Sequence, residues 1–198
     1  MNKKICIKPG KISRALYLSI FVTVAFSIGL AATVYAITAK EIDASADAAL
    51  NRFYKQVKDA KEVAGRAKGL LVLPNVTKGA LIIGGEYGRG ALRIGGKSVD
   101  YYSMISGSIG FQIGGQAKDI IIAFMSDEAL KDFRASKGWE AGVDGNVALI
   151  KVGAGESAIT AMSDQPIVAF VFDVKGLIAD MSLRGAKFNK QDKAKLND

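Results

Sequence analysis

Ile120-Ile121-Ile122-Ala123-Phe124-Met125-Ser126-Asp127-Glu128-Ala129-Leu130 is the stretch that decides the fold class. Its first six residues are a nearly continuous apolar run, as expected of a central strand buried on both faces. The period then changes within one residue. Ser126 can cap a short helix over 127–135, with Asp127 and Glu128 at its positive end and Leu130 and Phe133 facing the core.

Upstream, residues 41–68 read as one helix. Leu50, Phe53, Val57, Ala60, Ala64 and Ala67 recur at spacings of three and four and form a narrow apolar stripe. Gly69 is its expected C-cap. Residues 70–73 are a short apolar run stopped by Pro74-Asn75. Residues 79–85 and 90–96 are near-copies that read as the two strands of a hairpin, with Glu86 as a loop charge beside Arg89. Residues 101–115 alternate as a long, half-buried, glycine-bent strand.

Downstream, Gln116 to Asp119 reads as a turn, 147–152 and 167–172 as strands, and 177–183 as a further strand reached through a turn at 173–176. Residues 153–163 are a small-residue loop or weak edge. Residues 187–198 are polar and are expected to fray. The sum is α+β: an amino-terminal amphipathic helix and a short second helix on a curved, glycine-rich, mainly antiparallel or barrel-like sheet.

The amino terminus carries a different message. Lys3, Lys4, Lys8, Lys11 and Arg14 precede a run of 22 uncharged residues, 15–36, that ends in Val34-Tyr35-Ala36. Basic, apolar, then small-x-small is the order of an export signal, and the run is also long enough to act as an uncleaved membrane anchor. Residues 1–36 are therefore expected to deliver a single domain, 37–188, with a polar tail at 189–198, to the periplasm or envelope. Cys6 lies ahead of the apolar run, where it cannot become a lipoprotein cysteine.

Export changes the charge balance. The chain has 27 basic and 19 acidic residues, net +8; five of the basic residues lie in 1–36, leaving 22 against 19, net +3. So small an excess, with no clustered basic-aromatic platform, argues against nucleic acid. The chain has no histidine and its exported part no cysteine, which removes the commonest acid-base group and the ligands of a Cys/His zinc site. Neither a Gly-x-Ser-x-Gly elbow nor a phosphate-binding loop occurs. Glu86, Glu140, Asp144 and Asp180 are the acids flanked by apolar sequence. They are read mainly as structural, with Glu140 beside Trp139 anchoring a turn. No catalytic residue, metal or cofactor is assigned.

Several blocks occur in a characteristic order: Ala67-Lys68-Gly69, Gly84-Gly85-Glu86-Tyr87-Gly88, Tyr101-Tyr102, Gly110-Phe111-Gln112-Ile113-Gly114, Phe124-Met125-Ser126-Asp127-Glu128-Ala129-Leu130, Gly138-Trp139-Glu140-Ala141-Gly142-Val143-Asp144 and Phe170-Val171-Phe172. Together they resemble the SYLF lipid-binding domain family, whose bacterial members are commonly exported. The resemblance implies lipid binding through an amphipathic helix at the start of the domain and nearby basic residues. Transferred here, it points to Lys55, Lys58, Lys61, Arg66 and Lys68, with Arg89 and Arg93 as further cations, and to Trp139, Glu140 and Asp144 as structural residues. The expected partner is anionic phospholipid or a membrane surface. The alternative is a structural or protein-interaction module of the envelope.

Overall fold

A computed structural model describes residues 37–78, 85–107, 116–151, 159, 162, 164–175 and 182–196. The expectations for 1–36, 79–84, 108–115, 152–158 and 176–181, including Asp180, lie outside those residues. Within 37–198 the elements run α1 (Ala39–Gln56), α2 (Ala60–Arg66), β1 (Gly69–Lys78), β2 (Gly85–Ile94), β3 (Lys97–Gly107), β4 (Gln116–Phe124), α3 (Asp127–Ala135), β5 (Gly138–Glu140), β6 (Ala148–Lys151), β7 (Ile167–Lys175) and β8 (Lys187–Gln191), then a 3-10 turn at Ala194–Leu196. One eight-stranded sheet in the order β5-β8-β3-β2-β1-β4-β7-β6 carries the three helices. It is antiparallel except between β6 and β7, and strongly curled into a half-barrel. The fold is α+β.

Strand parity divides the core in two. On β1, β4 and β7, Leu70, Val72, Ile121, Ala123, Val168 and Phe170 point to the face covered by α1 and α2. Leu71, Leu73, Ile120, Ile122, Phe124, Ala169 and Val171 point to the face covered by α3. This is why 120–124 reads as an unbroken apolar run: both faces of a central strand are covered. On the first face Phe53 packs edge-on to Phe170, with ring centres 5.2 Å apart. On the second, Phe133 lies among Tyr102, Phe124, Trp139 and Phe188 at 4.6 to 6.1 Å. Such ring pairs add roughly 0.5–1.5 kcal/mol each beyond area burial.

The helix starts follow local chemistry. Thr38 caps α1 in a capping box with Glu41, and the bonds from the Thr38 backbone and side chain hold the Glu41 carboxyl below its ordinary pKa. Ser126 caps α3 by accepting from the Ala129 N–H at 3.2 Å, as the sequence indicates.

Elsewhere the structure corrects the reading. The helix expected over 41–68 is two helices, broken after Gln56, with Asp59 left-handed at φ 63°. The break lets the stripe keep facing the core while the chain turns towards β1. Residues 85–94 are a single strand, not a turn between two strands. Gln116 to Asp119 belongs to β4 rather than to a turn: Lys118 and Asp119 are buried because each meets an opposite charge. In place of the fraying expected from 187 onward, 187–191 form β8, which pairs with β3 and buries Phe188, and Leu196 is buried in the 3-10 turn that follows.

Two bulges shape the curl. Between Leu73 and Val76, β1 advances three residues while β4 advances two, and Asn75 takes φ 48°. Between Phe172 and Lys175, β7 advances three while β4 again advances two, and Asp173 also takes φ 48°. An extra residue on each neighbour of β4, at the same level, bends the sheet around it. What reads in sequence as a turn at Asp173 is this second bulge.

Candidate functional site

The helix pair α1–α2 presents a basic outer side. Phe53, Val57, Ala60 and Val63 are buried, and Leu50, Ala64 and Ala67 are partly so, packed on the same core. The apolar stripe is thus held inside the domain. What faces solvent is its flank: Lys55, Lys58, Lys61, Arg66 and Lys68 are all exposed. Arg66 is paired with Glu62 at 2.6 Å and Lys68 with Asp127 at 3.3 Å. Among the described residues, Lys55, Lys58 and Lys61 have no acid within ion-pair distance, and Tyr54 stands exposed beside Lys55. Asp59 supplies a nearby negative charge.

Arg93 lies elsewhere in the structure. It is 12% exposed and bonded to Asp47 at 2.8 Å and to the Asp43 carbonyl at 3.2 Å, so it fastens α1 to the sheet. Ser98 and Tyr101 donate to the Asp43 carboxylate as well. Burial, and then that carboxylate, raise the Tyr101 hydroxyl above its ordinary pKa. These contacts orient the helix whose other end carries the lysines.

Arg89 faces the same side of the sheet as α1 but is free of acids among the described residues. Its Nε donates to the Tyr87 hydroxyl, and its guanidinium stands 5.7 Å from the centre of that ring. Tyr87 is 42% exposed and pairs across the ladder with Ile105, 52% exposed, which pairs in turn with Lys187. A groove of about 270 Å³ opens beside them, between α1 and the β1–β2 ladder. No sequence period marks it, because its walls come from Ile37, Ile42, Pro74 and Tyr87 on separate elements.

Glu86 is not a loop charge. It is buried on the opposite face with Lys118, 2.9 Å away, and its second carboxylate oxygen has no hydrogen-bond partner among the described residues. Trp139 is 2% exposed against Phe133 and Phe188. The turn after it is anchored by Asp144, whose carboxylate accepts the Glu140 N–H at 2.7 Å; the Glu140 carbonyl accepts from Asp144. The turn-anchoring carboxylate is therefore Asp144 rather than Glu140. Glu86 and Asp144 are both engaged in structural bonds.

A search among curated proteins finds no match to the chain. A protein-family model, Ysc84, described as a Las17-binding protein actin regulator, matches residues 105–196, from the end of β3 through the 3-10 turn after β8. That span includes the Phe124–Leu130 and Gly138–Asp144 blocks, now seen as the β4–α3 junction and the tryptophan turn. Over residues 105–196 the sequence blocks and the family model agree, and this part of the chain is similar to the Ysc84 (SYLF) family.

Proposed function

We propose that the protein is a non-catalytic envelope module that binds anionic phospholipid, recruited by the outer side of α1–α2. The observation that carries this reading is the set Lys55, Lys58 and Lys61, exposed and without acid partners among the described residues, at the end of α1, in the break and at the start of α2, whose apolar sides are committed to the core. Three exposed cations with no acid partner among the described residues favour an anionic bilayer by about 1 kcal/mol each. With the stripe buried, the contact is electrostatic rather than an inserted helix. Similarity to the family over residues 105–196 supports a binding role, and the basic and then apolar segment 1–36 supports an envelope location. The family description names binding of Las17 and regulation of actin; for this chain a protein partner in the envelope is the alternative.

Liposome flotation of residues 37–198 tests the proposal. Recovery is expected with vesicles containing phosphatidylglycerol and not with phosphatidylcholine alone. Background recovery with both would refute it.

A further inference from the structure

Beyond recruitment to a surface, and resting on the lipid-binding reading, we infer that the groove beside Arg89 takes one hydrocarbon chain of a monoanionic amphiphile. Ile37, Ile42, Pro74 and Tyr87 line it together with the uncharged polar Ser45, Asn75 and Thr77, and Arg89 is the one charged residue lining it. At about 270 Å³ it falls just below the roughly 300–1,000 Å³ of sites that enclose a drug-sized molecule. It therefore suits part of a single chain rather than a whole two-chain lipid.

Charge complementarity decides the headgroup. Arg52, Arg66, Arg93 and Arg134 each meet a carboxylate. Arg89, half-buried, meets none among the described residues. Its Nε is engaged by the Tyr87 hydroxyl, which tethers the guanidinium beside that ring. The two terminal nitrogens are left for a carboxylate in the bidentate geometry that arginine favours. Ile105, exposed opposite Tyr87, extends the apolar lip. A chain with a carboxylate end, a fatty acid, matches apolar wall and cation together.

The test uses the full chain in phosphatidylcholine nanodiscs with a photoactivatable palmitate, the cross-links being mapped by mass spectrometry. Labelling should concentrate on Ile37, Ile42 and Pro74. Unlabelled palmitate should compete about tenfold better than hexadecanol, equivalent to about 1.4 kcal/mol. Arg89→Gln should abolish that preference without changing the melting temperature. Ser45→Phe, which fills the groove from α1, should suppress the labelling itself. Dispersed labelling, or equal competition by acid and alcohol, would overturn the inference. Flotation that succeeds while groove labelling fails removes the groove and leaves surface recruitment standing. Labelling that persists when flotation fails does the reverse.

Discussion

Arg52 on α1 and Asp119 on β4 form an ion pair at 2.6 Å, with the carboxylate side chain 1% exposed. The other Asp119 oxygen accepts the N–H of Asn75 at 2.9 Å, and Arg52 reaches Asp173 at 3.2 Å. Asn75 and Asp173 are the left-handed residues of the two bulges. One arginine thus links the helix that carries Lys55 to both bends of the sheet beneath it.

Removing that link is expected to be costly. Arg52→Leu leaves the Asp119 carboxylate buried without its cation and should destabilise by about 3 kcal/mol, the lower end for a broken buried pair because Arg52 remains partly exposed. Asp173→Asn should cost under about 1 kcal/mol, since Asp173 is the outer partner. Urea midpoints of the two variants check the order; equal losses would show that the pair at Asp119 is not the main contact.

Two glycines should respond in opposite directions to alanine. A Cβ on Gly90 would stand 1.9 Å from the Val72 carbonyl oxygen, a clash with backbone that β1 cannot relieve by rotating a side chain. Gly90→Ala should therefore prevent β1–β2 pairing, seen as loss of cooperative thermal unfolding. Gly65, exposed in α2 with open space around it, should gain up to about 1 kcal/mol as alanine.

Asp100 gives a pH signature. Burial raises its pKa, but the bonds from Lys190 at 2.8 Å and Arg134 at 2.9 Å outweigh that and hold it below its ordinary 3.8. A carboxylate with a lowered folded-state pKa stabilises above its unfolded value and loses that contribution as pH falls through the folded one. The stability advantage of the native protein over Asp100→Asn should be full at neutral pH and shrink below 3.8. Chemical denaturation across that range measures it; a constant difference would show that the pair carries no linkage.

β8 supplies the fourth prediction. Phe188 is 1% exposed against Trp139 and Phe133. Phe188→Ala should cost about 3–5 kcal/mol. A near-neutral effect would mean that β8 contributes little to the core.

Much of this was legible because burial writes itself into period. The β4 run, the Ser126 cap and the helical stripe through Phe53 follow from local chemistry alone. The sequence misled where long-range pairs reversed a local signal. Lys118 and Asp119 look like a turn until Glu86 and Arg52 arrive from 32 and 67 residues away. Asp173 looks like a turn because a left-handed bulge uses turn residues. Residues 187–191 look frayed because Phe188 alone of the five is buried, and the partners of β8, in β3 and β5, lie far away in sequence. The lysines could be named from sequence, but not that their helix hides its apolar side. The groove at Arg89 could not be named, since its walls meet only in the fold.

Electrostatic binding to anionic lipid is read out by partition constants on phosphatidylglycerol-containing vesicles. Native residues 37–198 and the Lys55→Glu, Lys58→Glu, Lys61→Glu variant would be compared over a series of salt concentrations. At about 1 kcal/mol per cation, loss of the three lysines alone should lower partitioning by about 100-fold at low salt, and the three added carboxylates should lower it further. That gap should narrow as salt screens the surface. Equal partitioning of the two proteins at every salt concentration would contradict the account.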